Sequence, residues 1–482
     1  MRLIAATAGS RMPVESRERR FSPDGWLKTQ EGGDMPSCAF VTFGCKINQY
    51  DTQAIREEII DLGYQESRDP SAVDLLIINS CSVTERAGEK VGEKIRSLTR
   101  KNPAAQVIVT GCISDDDRIR LEKIPQVVHL IGNEEKHRVA EILQGAPLLE
   151  KKPRRNSRAI FDLKIHRFEG RTRAFLKIQD GCDSFCSYCI IPYLRGGSRS
   201  RDHLPVLEEA KRLVEDGGFR ELVLTGIHLR QWGLDRGLED GLARLMLDLR
   251  QIPGLDRVRL SSIGEGAFSE AFLGAFEADR GLCRFFHVPL QSGSERILRR
   301  MRRDYSIDEY IEAMERVHQQ LPGSVLATDV IVGFPGETEQ DFEMTLQLLD
   351  RLGFAKVHLF PYSPRPRTRA ARLDDHVSIE TRQQRMIRAR EFCEQLQQRE
   401  LERRIGDRVE VLIEKEASEK QTNEDQRPVA EGLSREGLRV QFDDPDGTLR
   451  RGVEVDGILE RCRGPKMSAT KLAIGSGKER QR

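Results

Sequence analysis

Short apolar runs alternate with amphipathic stretches from Cys38 onward. Cys38–Phe43, Val73–Asn79, Gln106–Thr110 and Val127–Ile131 read as strands, while Thr52–Leu62, Glu85–Arg100 and Asp115–Lys123 carry helical periodicity. Strand-sized runs separated by helices predict a parallel sheet whose right-handed crossovers bring every strand C-terminus to one edge. A break follows at 146–170, where Pro147 and the run Lys151-Lys152-Pro153-Arg154-Arg155 accompany little apolar content; it reads as a basic linker. A second series then places strands at Ala174–Gln179, Glu221–Leu224, Val258–Ser261, Phe285–Leu290, Val325–Val332 and Ala355–Phe360. Helices fill the gaps at Pro205–Asp216, Leu242–Gln251, Ser269–Glu277, Ile307–Gln320 and Glu339–Leu352. Six such units fit an incomplete barrel, with function on the loops at its strand C-termini. Ile379–Arg404, rich in Arg, Gln and Glu, reads as a surface connector. Beyond Gly406 the pattern shortens to strands at Val409–Ile413, Arg427–Gly432, Leu438–Phe442 and Gly452–Leu459, with the acidic stretch Glu414–Asp425 as a loop.

The expected fold class is therefore α/β multidomain: an N-terminal parallel-sheet α/β domain at 36–145, a partial (β/α)6 barrel at 171–402 and a small C-terminal all-β barrel at 403–475. Residues 1–35, without periodicity, are expected to be a disordered extension, with Met35 a candidate translation start, and 476–482 a tail. A length of 482 residues suits about three domains. Basic and acidic side chains number 78 and 77, so net charge says nothing about nucleic acid, and a basic face must come from local segregation. No apolar stretch approaches the ~20 residues of a membrane span, and the N-terminus has no apolar signal core. The expectation is a cytoplasmic protein that meets no membrane.

In a reducing compartment ten cysteines point to metal ligands or core residues before disulfides. Cys182, Cys186 and Cys189 are spaced C-x3-C-x2-C directly after the first barrel strand. Three thiolates on one tight loop can converge on one iron–sulfur cluster, and three protein ligands leave a fourth iron open for a substrate or cofactor. The competing readings are a structural zinc site short of a ligand, or three ordinary cysteines. Cys45, Cys81 and Cys112 each follow a strand of the N-terminal series, 36 and 31 residues apart, or one βα unit each. Any one alone reads as a core cysteine; three at strand ends share one sheet edge, where α/β folds bind ligands, and read as a second three-thiolate site. Cys38, Cys283, Cys393 and Cys462 match no motif. Barrel loops Leu224–His228, Leu260–Ser262, Pro289–Ser294 and Val332–Glu337 supply Gly for close approach and Ser, Gln and Glu for hydrogen bonds. Thr225, Gly226, Ser261, Gln291, Ser292 and Gly333 are the candidate cofactor contacts, against the plainer reading of ordinary βα turns. Arg195, Arg199 and Arg201 form a local basic strip after the cysteine loop, placed to meet RNA phosphates or to be a solvated loop.

C-x3-C-x2-C at the start of a partial barrel resembles the radical S-adenosylmethionine superfamily, in which the aromatic before the third cysteine, here Tyr188, belongs to the cofactor site. The contexts Gly44-Cys45-Lys-Ile-Asn48, Asn79-Ser-Cys81-Ser-Val83 and Thr110-Gly-Cys112 resemble the methylthiotransferase family over about residues 36 to 470. The resemblance implies two [4Fe–4S] clusters, one on Cys182, Cys186 and Cys189 and an auxiliary one on Cys45, Cys81 and Cys112, together with S-adenosyl-L-methionine. It implies a TRAM-like RNA-binding C-terminal barrel, tRNA as partner, a flavodoxin- or ferredoxin-type reductant, and no DNA. Thr42–Asp51, Leu224–His228 and Ala174–Cys182 resemble the branch acting on threonylcarbamoyladenosine in tRNA; Ser262-Ile-Gly-Glu-Gly266 departs from that pattern. The implied reaction cleaves S-adenosylmethionine, removes hydrogen from C2 of the adenine at position 37, inserts sulfur from the auxiliary cluster and methylates it from a second S-adenosylmethionine. The alternatives are methylthiolation of isopentenyladenosine in tRNA or of a ribosomal-protein aspartate, a radical enzyme of another kind, and a non-catalytic iron–sulfur or zinc RNA-binding protein.

Overall fold

The computed structural model describes residues 35–149, 157–168, 170–418 and 427–474. The N-terminal extension expected at 1–35, apart from Met35, and the tail at 476–482 lie outside the described residues, as do 150–156 and 169 of the expected linker and 419–425 of the acidic stretch. Strands β1 (Ser37–Thr42), β2 (Gln65–Glu66), β3 (Leu75–Ser80), β4 (Gln106–Gly111) and β5 (Val127–Gly132) form one parallel sheet in the order β2-β1-β3-β4-β5. Its crossovers carry helices α1 (Lys46–Asp61), α2 (Glu85–Lys101) and α3 (Asp115–Leu121); α4 (Val139–Leu143) follows β5. β3 is buried at all six positions, as a central parallel strand covered on both faces must be. The sequence places the first helix at Thr52, but it starts at Lys46, immediately after Cys45. Asn48, Asp51, Thr52 and Gln53 face inward there, so polar residues mask the apolar period over the first two turns.

The expected linker is only partly one. Ile160, Leu163, Ile165 and Phe168 are buried and join the core shared by α1 and the barrel. Four apolar residues in twelve suffice to seat a strap when they fall against an existing face.

The barrel comprises β6 (Arg173–Lys177), β9 (Glu221–Thr225), β10 (Arg257–Leu260), β11 (Phe285–His287), β12 (Val325–Val332) and β13 (Lys356–Pro361), with the short pair β7 (Gln179–Asp180) and β8 (Arg199–Ser200) above β6. Two parallel three-stranded sheets, β10-β9-β6 and β11-β12-β13, meet through the bridges Val258↔Leu282 and Ser262↔His287. β6 and β13 are left as edges, which makes the barrel partial. Helices α5 (Ile191–Arg195), α6 (His203–Glu215), α7 (Gly241–Arg250), α8 (Glu270–Ala278), α9 (Glu295–Met301), α10 (Ile307–Gln320) and α11 (Glu339–Leu352) follow the strands. Helix α12 (Ile379–Glu402) is more than the connector its composition suggests: Ala389, Cys393, Leu396 and Leu401 are buried. Five strands, β14 (Arg408–Lys415), β15 (Val429–Ser434), β16 (Arg439–Asp443), β17 (Glu454–Arg463) and β18 (Lys466–Ile474), close the C-terminal barrel in the order β14-β15-β16-β18-β17. β18 escapes the sequence pattern because, over 466–473, only Met467 and Ala469 are buried.

No helix among the described residues is long and apolar enough to cross a membrane.

Candidate active site: two three-thiol loops

β1, β3 and β4 lie side by side and parallel, so the loops holding Cys45, Cys81 and Cys112 leave one sheet edge together. Asn48 ties two of them, its Nδ2 donating to the carbonyls of Phe43 and Ser80, both at 2.8 Å. The Cys112 amide donates to Ser80 O at 3.1 Å, and Ser82 Oγ donates to Cys112 O at 2.6 Å. Gly44 (φ +95°) sits so close that a Cβ there would lie 2.8 Å from Cys81 Sγ. Burial first, and then Cys112 with Cys45, pushes the Cys81 thiol up to about 12, as expected where sulfurs converge. Cys45 is the N-cap of α1, a 16-residue helix.

A buried charge chain reaches this site from the barrel. Lys136 contacts Asp51; Lys177 Nζ donates to Asp51 Oδ1 (3.0 Å) and Asp180 Oδ2 (2.9 Å); Arg195 holds both oxygens of Asp180 at 3.1 and 2.9 Å. The Nε of Arg195 lies 3.3 Å from Cys112 Sγ, and Asn133 Nδ2 is 3.4 Å from the same sulfur. Three cations against two carboxylates leave one positive charge, and it faces that sulfur. An anionic cluster thiolate at Cys112 completes the balance, so the donor set fits an iron–sulfur ligand better than a neutral core thiol.

The second loop begins at Asp180, whose Oδ1 accepts the Gly181 amide at 2.7 Å, and carries Cys182, Cys186 and Cys189. Burial, followed by Cys186, pushes the Cys189 thiol up to about 12, and Cys182 is raised by burial. Arg303 NH1 donates to Cys186 Sγ at 3.3 Å and stacks over Tyr305 at 4.7 Å. His228 Nδ1 is 3.8 Å from Cys182 Sγ, and burial together with Arg303 pushes its imidazole down to about 4, so it is neutral. In neither triad do the three sulfurs all lie within 4.8 Å of one another; among the described residues only His287, Asp329 and His358 form such a group. Gly181 has φ +77°, and a Cβ there would lie 1.9 Å from Gly197 O. Gly181→Ala is expected to cost at least ~1–2 kcal/mol and to displace the Cys182 loop, read as a lower melting midpoint and loss of about four irons per chain.

The sequence-derived cofactor contacts separate on inspection. Ser261 Oγ is buried with no hydrogen-bond partner among the described residues, as is Arg303 Nε. Gln291 holds φ +71°, unusual for a non-glycine, with its amide on Asp329 O at 2.8 Å. Gly333 turns at φ +75°, and its amide donates to Glu337 at 2.9 Å. Tyr188 meets Phe334 edge-on at 6.5 Å, and Gly226 packs under Gln179. The hydroxyls of Thr225 and Ser292 are taken by Val223 O (3.2 Å) and the Ser294 amide (3.2 Å).

The basic strip is corrected by the structure. Arg195, Arg199 and Arg201 are 3%, 6% and 3% exposed. Arg199 donates to the carbonyls of Ser157 (3.1 Å) and Arg195 (2.6 Å), and Arg201 pairs with Glu209 at 2.5 Å. Internal partners occupy them, so they present no surface to phosphates. Sequence reasoning also missed Arg303 and Asn133, each of which touches a sulfur and which no spacing rule marks; Asn48 stands in the Gly-Cys-x-x-Asn context of the sequence, but its role in tying the loops was not read there.

Comparison with known proteins identifies the family. Residues 176–349 match the Radical SAM superfamily model, and 37–132 match the uncharacterized protein family UPF0004. The threonylcarbamoyladenosine tRNA methylthiotransferase MtaB of Chlamydia pneumoniae is 41% identical over 376 residues, covering 78% of this chain and 86% of that protein. The chain belongs to the tRNA methylthiotransferase family of radical S-adenosylmethionine enzymes. Family members of the same name from Bacillus subtilis (strain 168) and Thermotoga maritima are 34% identical, covering 87% and 79% of this chain and 93% and 87% of theirs. A solved structure of the radical S-adenosylmethionine methyltransferase TsrM from Kitasatospora setae shares the fold, with a TM-score of 0.51 at 15% identity over 70% of this chain and 75% of that one. As a family member the chain is a transferase whose chemistry uses S-adenosylmethionine and a [4Fe–4S] cluster.

Proposed function

We propose that this chain converts N6-threonylcarbamoyladenosine at position 37 of tRNA to its 2-methylthio derivative. One cluster is held by Cys182, Cys186 and Cys189, and an auxiliary one by Cys45, Cys81 and Cys112. The observation that carries the reading is the Arg195–Asp180 pair: one side of it touches Cys112 and the other holds the amide beside Cys182, so the two loops address one space. When bound, the clusters and S-adenosylmethionine supply reductive radical formation, sulfur and the methyl group. The protein's own part is positional. Arg303 and Arg195 neutralise sulfur charge, Asn48 fixes the auxiliary loops, and the buried Ser261 hydroxyl and the Gln291 turn face the barrel mouth where cofactor binds. The named relatives favour the threonylcarbamoyl substrate over an isopentenyl one. Electrons come from a flavodoxin- or ferredoxin-type protein, and the setting is the cytoplasm, where tRNA is found.

Iron and sulfide counting after anaerobic reconstitution tests this directly. The wild type is expected to hold about eight irons per chain and a Cys45/Cys81/Cys112→Ala triple variant about four. That variant keeps reductive cleavage of S-adenosylmethionine and forms no methylthio product on tRNA. Four irons in both proteins would refute sulfur insertion from an auxiliary cluster.

A further inference from the structure

One cluster of ligating side chains lies outside both cysteine loops, and the reaction as derived gives it no task. His287 stands on β11, Asp329 on β12 and His358 on β13, three neighbouring parallel strands of the barrel. Asp329 pairs directly with His358, and His287 pairs with Ala327, two residues before Asp329 and on the same face. Val330 and Val332 turn the other way into the core, so the three side chains share the barrel's inner face.

The two rings converge on a single oxygen. His287 Nε2 is 2.8 Å from Asp329 Oδ1, and His358 Nδ1 is 3.1 Å from the same atom. A carboxylate that merely bridged two histidines could give each its own oxygen; here one oxygen serves both. The three ligand atoms lie within 4.8 Å of one another, the only such group among the described residues. The ring centres are 5.2 Å apart, with planes at 78°. Two imidazoles on one tetrahedral ion, with bonds of ~2.0–2.1 Å, stand about 5 Å apart centre to centre and hold their donor atoms ~3.3 Å apart. The observed spacing is close to that of ligands drawn around one ion.

The surroundings complete such a site. Ser262 arrives at the end of β10 through the bridge Ser262↔His287, and its Oγ lies 3.1 Å from His287 Nδ1. It accepts the Nδ1 proton when Nε2 is the ligand, and so orients the ring, as the outer partners of ligating histidines do. Burial opposes the charge of Asp329, but the hydrogen bonds from His287 and then His358 outweigh it and bring the carboxyl down to about 2. The side chains of His287, Asp329 and His358 remain 13%, 21% and 37% exposed, so one side of the group is open to the barrel lumen.

We propose that His287, Asp329 and His358 hold one first-row divalent cation on the inner wall of the barrel, with its remaining positions open to an oxygen donor. Two imidazoles and one carboxylate suit Zn2+, Mn2+ or non-haem Fe2+, whereas Mg2+ and Ca2+ take shells of oxygen. The Gln291 amide donates to Asp329 O at 2.8 Å, so the ion sits beside the turn that faces the barrel mouth. The site does not depend on which RNA is the substrate.

Mn2+ is titrated into the full-length protein carrying its oxidised clusters, which are silent in electron paramagnetic resonance, and free Mn2+ is read from its hyperfine signal. Wild type is expected to bind one Mn2+ per chain and to release it to an equivalent of Zn2+, which such ligands hold more tightly. Asp329→Asn keeps an oxygen for both histidines to bond but removes the charge. It is expected to weaken Mn2+ binding beyond the ~10–100-fold of an outer-shell change. His358→Gln, at the most exposed of the three positions, is expected to do the same should Asp329→Asn fold poorly. Ser262→Ala is expected to weaken binding about tenfold. All variants are compared at the iron content of wild type. Absence of Mn2+ binding by wild type would overturn the proposal and leave the group a hydrogen-bonded network. So would one Mn2+ per chain held at equal affinity by Asp329→Asn and His358→Gln, which would place the ion elsewhere.

Discussion

Replacing Cys186 by alanine is expected to end reductive cleavage of S-adenosylmethionine and to remove about four irons per chain while the auxiliary iron stays. Cys186 sits at the centre of its loop: its charge acts on both Cys189 and Cys182, and Arg303 donates to its sulfur at 3.3 Å. Alanine leaves two thiolates, too few to hold a cluster with one open iron, and strands the half-buried guanidinium of Arg303. Arg303→Gln separates these two effects. It keeps all three thiolates and removes only the charge-assisted contact to sulfur, so iron should remain while turnover falls ~10–100-fold, the usual scale for outer-shell changes at metal sites. Adenosyl product released per chain under reductant, read beside iron content, distinguishes the two variants. Equal losses of iron in both would make Arg303 structural. Cleavage surviving Cys186→Ala would remove Cys182, Cys186 and Cys189 from the radical chemistry altogether.

What could be read from the residues divides by how far the determining interaction lies along the chain. C-x3-C-x2-C is local, and its loop is where the spacing puts it. Cys45, Cys81 and Cys112 were legible because parallel strands have one common C-terminal edge, a rule that converts distant positions into neighbours. Arg195, Arg199 and Arg201 were not, because what buries them are Asp180, Glu209 and the carbonyls of Ser157 and Arg195, supplied by tertiary packing. An arginine-rich loop looks the same in sequence whether water or carboxylates meet it. The same holds for Ile160, Leu163 and Ile165, too few to show a period yet completely placed by the face of α1 and β6. The early start of α1 was hidden because its first turns serve the site: Asn48 and Asp51 are buried polar residues where a core helix would show apolar ones.

Asp180→Asn is expected to destabilise the protein by about 3–5 kcal/mol, because it removes one partner of a buried ionic chain and leaves the others uncompensated. Asp180 is fully buried, and it faces Arg195 and Lys177 at 2.9 Å each. Burial opposes its charge; Arg195 and then Lys177 more than offset that, and hold the carboxyl well below the ordinary carboxylate range. A carboxylate depressed in the folded state stabilises above its unfolded pKa, near 3.8, and that contribution is lost as pH falls through the folded value. The gap in stability between wild type and Asp180→Asn should therefore be full at neutral pH and shrink below about pH 4. Charge arithmetic supplies the control. Wild type carries Lys136, Lys177 and Arg195 against Asp51 and Asp180, a surplus of one; Asp180→Asn raises it to two; Asp180→Asn/Lys177→Met restores one. The double variant should recover much of the lost stability in urea melts, since an apolar replacement of a buried pair is often neutral. If instead the double variant is as weak as the sum of its parts, the two residues act independently, and the chain from Lys136 to Cys112 is not the unit that holds the auxiliary loop against the barrel.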